Sequence, residues 1–336
     1  MTKEQILNLA AHGRFLGNKE KAELVETHIS WVLLGDEYAF KIKKELKYSF
    51  IDFSTVEIRH YYCLRELELN RRLSGDMYIA VVPVKSSKGS FFIGEGEGEL
   101  LDYAVQMKKL DRAKQMNILL SQGQVTISDI SNLAQKIAEF HKRARIIHDK
   151  DVLDISELFN DLRKQSEFLS DEKTAGLGDL IHRSISQSDR FIEAHRDRLQ
   201  ARLKLGYFRE CHGDLHVRNI FLLPEPLPFD CIEFNEDFRS IDVLNEIAFL
   251  CMDLDACSRG DLSDFFLSTY NLSFAALINS QDRELFLYYK SYRANIRAKV
   301  NCLRASSAES QQEKDHALAQ TRRYLELMAG YLNLLS

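Results

Sequence analysis

The feature that most constrains the fold of this chain is a change of hydrophobic pattern about a third of the way along it. Up to Gln106, short runs rich in β-branched and aromatic residues alternate with turn residues and surround one long helical pattern. From Ser128 onward, apolar residues recur mostly at helical spacing. The sequence therefore predicts an α+β protein of two lobes. Residues 1–106 would form a small lobe with an antiparallel sheet and one helix, and residues 107–336 a larger, mainly helical lobe.

Turn and cap residues place the elements of the small lobe. The run from His28 to Lys43 contains two strand patterns around Gly35 and Asp36, which predicts a hairpin. Ser54 and Glu57 then have the spacing of a capping box, and Gly75 follows at a suitable distance to end the helix. We expect a helix of about five turns there, followed by three more strands.

Composition and charge exclude several classes of function. The formal net charge of −5 gives no general attraction to nucleic acid or to an anionic membrane, so any phosphate must be bound locally. The longest apolar runs are too short to span a bilayer, and the first residues lack the apolar core of a signal peptide. The six cysteines contain no Cys-x-x-Cys pair, which indicates reduced, buried thiols. These features predict a cytoplasmic protein whose partners include neither nucleic acid nor membrane.

The polar stretch ECHGDLHVRN, residues 210–219, is compatible with two chemistries. His212, Asp214 and His216 alternate along the chain, as ligands of a hydrolytic metal do. Asp214 and Asn219, five apart, instead have the spacing of a phosphoryl-transfer loop, in which a carboxylate accepts the proton of the attacking hydroxyl and an amide oxygen binds magnesium. Asp230 ends the next strand pattern and adds a second hard oxygen ligand. The pattern as a whole favours phosphoryl transfer.

The same residues carry a resemblance to a known family. HGDLHVRN followed by FDCIEFNEDFRSID resembles the catalytic core of the aminoglycoside phosphotransferase-like kinases, the small-molecule branch of the protein-kinase fold. Arg239 and Asp242 match an Arg-x-x-Asp that follows the loop in that family. Residues 25 to 300 resemble, more narrowly, a bacterial subgroup whose longer members join such a kinase-like lobe to a P-loop ATPase. This chain contains no G-x-x-x-x-G-K-[ST], so only the kinase-like part is expected.

The resemblance implies roles for the residues of the loop and the strand after it. Asp214 would be the catalytic base, and Asn219 and Asp230 would be the magnesium ligands. Glu233, three residues beyond Asp230, would either add a metal ligand or face solvent. His212 would support the backbone of the loop.

The resemblance also implies a nucleotide-binding set in the small lobe. Lys41 in YAFKIKK would bind the α- and β-phosphates, and Glu66 on the long helix would pair with it. Lys43, on the same face of the strand, is the alternative lysine, and Glu68 is the second choice for the acid. The backbone of an interlobe hinge would bind the adenine edge; its residues are Tyr103, Val105 and Met107.

The implied function is an ATP- and Mg²⁺-dependent phosphotransferase that transfers the γ-phosphoryl group to a hydroxyl of an unidentified small molecule. GTP is the alternative nucleotide. A pseudokinase-like module that binds nucleotide or a protein partner without transfer is the second hypothesis, and the metallohydrolase is the third. Arg293 and Arg297, one helical turn apart, would either bind an acidic substrate or, as we prefer, brace Asp242 and Asp253.

Overall fold

The computed structural model describes residues 1–16, 21–48, 51–169 and 176–335. Its internal contacts divide the chain into two compact units. The first contains Met1–Ile118, Asn219–Leu223 and Leu227–Phe238, and the second contains Leu119–Arg218, Pro224–Pro226 and Arg239–Ser336. The boundary near residue 106 stays a prediction, but the residues after the polar loop group with the first unit.

A six-stranded antiparallel sheet forms the base of the first unit. The strands of this unit up to residue 108 are β1 (Glu23–Glu26), β2 (Ser30–Leu34), β3 (Tyr38–Lys43), β4 (Lys47–Tyr48), β5 (Ile51–Asp52), β6 (Tyr78–Ser87), β7 (Ser90–Ile93) and β8 (Glu99–Lys108). β4 and β5 pair with each other, and the large sheet has the order β1-β2-β3-β8-β6-β7. The predicted hairpin and the three later strands are thus confirmed.

Helices α1 (Lys3–His12) and α2 (Val56–Ser74) pack against this sheet. Because side chains alternate along a strand, β3 has two different faces. Phe40 and Ile42 join an apolar cluster that includes residues of α1. Lys41 and Lys43 lie on the other face, where they reach α2.

The start of α2 differs from the sequence prediction. Thr55, not Ser54, is the N-cap, since its Oγ1 accepts the N–H of Ile58 at 3.3 Å. Ser54 instead donates from its N–H and its hydroxyl to Asp52, at 3.0 and 2.6 Å. The predicted capping box is therefore wrong. Serine and threonine cap about equally well, so the sequence could not choose between adjacent candidates. The predicted end at Gly75 is confirmed, with φ +50°.

Helices make up most of the second unit. Those after α2 are α3 (Met116–Ser121), α4 (Ile127–Arg143), α5 (Asp154–Asn160), α6 (Leu177–Lys204), α7 (Val243–Ala256), α8 (Gly260–Ser273), α9 (Ser280–Ser306) and α10 (Gln311–Asn333). The sequence pattern predicted most of them but missed α1, α3 and α8. The remaining strands are short: β9 (Phe208–Glu210), β10 (Ile220–Phe221), β11 (Leu227–Pro228) and β12 (Ser240–Asp242). β9 pairs with β12 in the second unit, and β10 with β11 in the first.

Two findings bear on the expectations drawn from composition. No helix in the described part of the chain is long and apolar enough to cross a membrane. All six cysteines fall within the described ranges, none forms a disulfide, and five are buried, the exception being Cys257.

A buried ion network at Arg202 connects the helices of the second unit. Arg202, on α6, is fully buried. Its guanidinium donates to both carboxylate oxygens of Asp242, at 2.5 and 2.8 Å, and to Asp282 at 2.8 Å. Because α7 begins directly after Asp242 and Asp282 lies in the first turn of α9, one side chain ties three helices together.

We expect Arg202→Met to lower the free energy of unfolding by about 3–5 kcal/mol, because it leaves a buried carboxylate unpaired. Arg196→Met is the matched control: Arg196 is an exposed residue of the same helix that pairs only with Glu193, and its loss should change stability little. Urea denaturation of both variants measures the difference. Equal, small effects of the two changes would contradict the network's role.

Candidate functional site

A buried cluster of charges joins β3, α2 and the segment after β11 within the first unit. Lys41 Nζ lies 2.8 Å from Glu66 Oε1 and 2.5 Å from Asp230 Oδ1. Lys43 Nζ lies 2.6 Å from the other oxygen of Glu66 and also donates to Glu233. Glu66 is fully buried and is shared by both lysines. The structure thus brings together Lys41, Glu66 and Asp230, which the sequence had placed in one site.

The two candidate lysines have different surroundings. Lys43 is completely buried, and both of its carboxylate partners are buried with it. Lys41 also contacts Asp230, whose side chain is 42% exposed. Of the two, Lys41 is therefore the one beside an open, ligand-accessible carboxylate. The alternative acid Glu68 is exposed and pairs with Arg65.

The electrostatics of the cluster shift the pKa values of two of its acids in opposite directions. Burial alone would lower the pKa of Lys41, but the Asp230 and Glu66 carboxylates outweigh it and hold that pKa well above its ordinary value. Burial would raise the pKa of Glu66, but the two ammonium groups lower it to about 2. For Glu233, burial dominates over Lys43, and its pKa is raised. Lys41 therefore stays cationic throughout the physiological range.

Residues 230 and 231 are held in place by their backbone. Asp230 has φ +64°, a left-handed conformation that is uncommon outside glycine and that aspartate adopts more readily than most residues. Its N–H donates to the Tyr78 hydroxyl at 3.1 Å, and the N–H of Cys231 donates to the Asn70 side chain at 2.9 Å. Asn70 belongs to α2 and also donates to the carbonyl of Glu66. These contacts fix the Asp230 carboxylate relative to Glu66 and compensate for the strained backbone.

Asn219 and Asp230 lie at the same end of the β10–β11 hairpin. Ile220 pairs with Pro228, and the N–H of Phe229 donates to the carbonyl of Asn219 at 2.9 Å. The hairpin therefore places an amide and a carboxylate, both hard oxygen donors, at one end of a rigid element. Such donors fit a magnesium ion, which prefers one or two protein oxygens and keeps its other positions for water and phosphate.

The polar loop of the second unit is held by a buried acid. Glu246, on α7, accepts the N–H groups of His212 and Gly213 at 2.7 and 3.0 Å. His212 is buried, and its Nδ1 accepts the N–H of Asp214 at 3.2 Å, so this histidine supports the loop backbone as expected. Arg293 donates to the carbonyl of Gly213 at 3.1 Å. The loop is thus fixed on both sides of Asp214.

Asp214 itself is ionised and partly open to solvent. One third of its side chain, 33%, is exposed, and His216 Nε2 lies 3.4 Å from its Oδ2. Burial opposes ionisation, but His216, followed by His212 and Arg297, holds the pKa of Asp214 well below its usual range. An exposed, ionised carboxylate on a rigid loop can accept a proton from, or orient, a hydroxyl group.

The prediction that Arg293 and Arg297 brace Asp242 and Asp253 was correct only in part. Arg297 does brace Asp253, with 3.8 Å between its Nε and Oδ1. Asp242, however, is braced by Arg202, and Arg293 binds Asn245 and the loop carbonyl instead. The sequence spacing identified the correct helix, but a contact between α6 and β12 depends on tertiary packing that no local spacing reveals.

The predicted hinge residues lie inside the sheet. Tyr103, Val105 and Met107 belong to β8, between β3 and β6, and are paired with residues of one or both neighbours. Val105 and Met107 are also buried. The ladder occupies the backbone at these positions and continues to Lys108, which pairs with Tyr38.

The metal-ligand geometry of the hydrolase hypothesis is not observed. Within the described ranges, the three potential ligand atoms that come within 4.8 Å of one another belong to His141, Cys211 and Glu246. His212 Nδ1 is instead occupied by a loop N–H, and His216 Nδ1 accepts the N–H of Arg218 at 3.2 Å. The two histidines of the polar loop therefore serve the loop's own conformation.

Sequence analysis missed two functional neighbours. Glu246 had a visible signal, because a single acid in the apolar run VLNEIAFL must be buried with partners. Asn70 had none, since an asparagine near the end of a helix is more often exposed or part of a cap. Its contact with Cys231 joins residues 161 positions apart.

Comparisons with known proteins identify the fold. No protein-family model matches the chain. An uncharacterized protein of Mycobacterium tuberculosis is 30% identical over 312 residues, covering 91% of this chain and 59% of that protein. A second, from Mycobacterium bovis, has the same values. The chain thus spans about three fifths of the length of these curated relatives.

Two solved structures share the architecture over nearly the whole chain. A choline kinase from Cryptosporidium parvum has a TM-score of 0.56 and 14% identity, covering 93% of this chain and 90% of that one. A choline/ethanolamine kinase family protein from Mesorhizobium loti has a TM-score of 0.51 and 12% identity, covering 94% of each chain. The chain therefore has an aminoglycoside phosphotransferase-like, protein-kinase-like fold, and the predicted fold class is confirmed.

Glu246, which holds the polar loop, should make the free energy of unfolding depend on pH. Burial raises the pKa of Glu246 from its ordinary value of 4.5 to about 7, against the effect of Arg293 and the two N–H groups. Between those pH values the folded protein retains a proton that the unfolded chain releases. Glu246 therefore makes the free energy of unfolding fall as the pH rises from about 4.5 to 7, with no further change above that.

Glu246→Gln should remove this contribution. The difference in free energy of unfolding between the variant and the unmodified protein should change between pH 5 and pH 7 and then stay constant to pH 8.5. Urea denaturation at a series of pH values measures it. A difference that is the same at every pH would show that Glu246 does not titrate in this range.

Proposed function

We propose that the chain is a phosphotransferase that uses ATP and Mg²⁺ to phosphorylate a hydroxyl of a small molecule. The observation that carries the proposal is the buried pair of Lys41 and Glu66 with Asp230 bound to the same lysine, on the fold of small-molecule kinases. GTP is the alternative nucleotide. The expected setting is the cytoplasm.

Lys41 would bind the nucleotide's phosphates. Its ammonium group is cationic, fixed by Glu66 and adjacent to a partly exposed carboxylate. A phosphate oxygen would compete with Asp230 for this lysine, while Glu66 would keep its position. A preoriented charge of this kind stabilises the negative charge of the transferred group without reorganising during the reaction.

Asn219 and Asp230 would hold the magnesium ion, which supplies positive charge to the nucleotide phosphates. We assign Glu233 a different role from the metal ligand that the sequence allowed, because its carboxylate binds the buried Lys43. The adenine edge would be bound by backbone near the end of β8, the strand that contains the predicted Tyr103, Val105 and Met107.

Asp214 would orient the acceptor hydroxyl and accept its proton. Its low pKa keeps it ionised at neutral pH, and the anchors of the loop from Glu246 and Arg293 fix its position. An aligned hydroxyl loses less entropy on reaching the transition state.

Asp214→Ala should abolish transfer by at least a hundredfold while nucleotide affinity is unchanged. The assay follows label from γ-labelled ATP into acceptors of a metabolite extract, with nucleotide binding measured by calorimetry. Asp261→Ala, which changes an exposed acid of the same unit, is the control. Transfer by the Asp214 variant at the normal rate would refute the assignment. Nucleotide binding with no transfer even by the unmodified chain would favour the pseudokinase-like alternative.

Lys41 and Lys43 should behave differently when each is changed to methionine. Lys41→Met should weaken nucleotide binding and abolish transfer at little cost in stability, because Glu66 keeps Lys43 as a partner. Lys43→Met removes the buried cation that binds both Glu66 and Glu233 and should lower the free energy of unfolding by about 3 kcal/mol. Urea denaturation and calorimetry separate the two effects. The opposite pattern would make Lys43 the phosphate-binding lysine.

A further inference from the structure

Three arginines of α9 form one stripe that faces the polar loop. Arg293, Arg297 and Arg304 are spaced four and seven residues apart, which places them on the same side of a helix with 3.6 residues per turn. The stripe spans about three turns. It lies in the second unit, as does the whole loop from His212 to Arg218.

The loop and the helix run alongside each other. Arg293 donates to the carbonyl of Gly213 at 3.1 Å. One turn further on, Arg297 pairs with Asp253, and the other oxygen of Asp253 accepts the N–H of Val217 at 3.3 Å. The loop therefore follows the first two arginines of the stripe, and its next residue, Arg218, is close enough to Arg304 to help lower the pKa of that guanidinium.

The first two arginines are occupied by the protein itself. Arg293 binds Asn245 and the loop carbonyl. Arg297 pairs with Asp253 and donates to the Tyr324 hydroxyl at 3.4 Å. These contacts supply the acceptors that a buried guanidinium needs.

Arg304 differs from them. Its guanidinium makes no hydrogen bond or ion pair with any residue in the described part of the chain, although it is partly buried. The charges that act on it are mainly of its own sign: burial, then Arg218 and Arg297, lower the pKa of Arg304, and only the Tyr324 hydroxyl opposes them. A half-buried cation beside two others is unfavourable until an anion neutralises it.

Further charges lie around the neighbouring Arg297. The acidic groups that act on Arg297 are Asp253, which it binds and which also accepts the Tyr324 hydroxyl, and Asp214. Arg218, Arg297 and a further arginine, Arg323, all act on the neighbouring thiol of Cys257. Basic groups thus outnumber acidic ones beside the loop that carries the proposed catalytic carboxylate.

We propose that the acceptor is a hydroxylated anion, whose phosphate or carboxylate group binds Arg304 together with Arg218 while Asp214 orients its hydroxyl. This inference rests on the proposed phosphotransferase function. An anionic group accepts charge-assisted hydrogen bonds from guanidinium, and planar phosphate or carboxylate edges match its paired donors. A quaternary ammonium acceptor would meet charges of its own sign.

The test measures binding by the full chain without nucleotide, so that it does not depend on transfer. The probes for calorimetry are inorganic phosphate, glycerol 3-phosphate and choline. We expect the two anions to bind and choline not to bind. Arg304→Gln should weaken binding of both anions about tenfold or more, as expected for the loss of a charge-assisted hydrogen bond.

Two control variants identify where the anion binds. Arg196→Gln removes an exposed arginine of the same unit and should leave anion binding unchanged. Lys47→Met removes an exposed lysine of the first unit and should also leave it unchanged. Anion binding that is undiminished in Arg304→Gln, tighter binding of choline than of glycerol 3-phosphate, or no anion binding would each overturn the inference.

Label transfer separates this inference from the proposed function. A metabolite extract is divided by ion exchange into anionic, neutral and cationic fractions, and each is assayed with γ-labelled ATP. We expect the Asp214-dependent acceptor in the anionic fraction. An Asp214-dependent acceptor in the cationic fraction refutes only the anionic acceptor. Transfer that does not depend on Asp214 refutes the phosphotransferase assignment, whatever the anion-binding result.

Discussion

The arrangement of the first unit depends on a single buried carboxylate, that of Glu66. A carboxylate removed from water is stable only when its charge is neutralised and its oxygens are bound, and here each oxygen has its own lysine. Because the lysines stand two residues apart on one face of β3, the carboxylate sets the distance between that strand and α2. Each lysine then binds a second acid, Asp230 or Glu233, so the segment after β11 is positioned by the same two cations.

The second unit also contains buried carboxylates, but different groups stabilise them. Glu246 is neutralised mainly by loop N–H groups and by Arg293, and Asp253 by Arg297, Tyr324 and the N–H of Val217. Both acids thus use the polar loop's own backbone as a partner. The loop cannot move without exposing a buried carboxylate, and this rigidity is what a group that must orient a hydroxyl requires.

How much of the structure the sequence could predict depended on how far apart the interacting residues lie in the chain. The spacing of Asp214, Asn219 and Asp230 is local, so the loop and hairpin were identifiable from residue types alone. Lys41 and Lys43 share a strand face, and no local pattern could separate them; only the different exposure of Asp230 and Glu233 does. The partner of Asp242 was misassigned for the same reason, since Arg202 reaches it across 40 positions of sequence. The predicted hinge residues lie inside β8, and their role stays a prediction, because a strand's end is less well defined by sequence than its core.

The charges that remain unneutralised differ between the two units. In the first, Lys41 and Lys43 face Glu66, Glu233 and Asp230, and the carboxylate that is partly exposed is Asp230. That arrangement leaves an acidic oxygen accessible, which suits a divalent cation. In the second, Glu246 and Asp253 are bound beside the polar loop, Asp214 is one third exposed, and the guanidinium of Arg304 has no partner among the described residues. The first unit therefore offers an accessible carboxylate that can bind a metal ion, and the second offers a carboxylate that can orient a hydroxyl together with a guanidinium that can bind an anion.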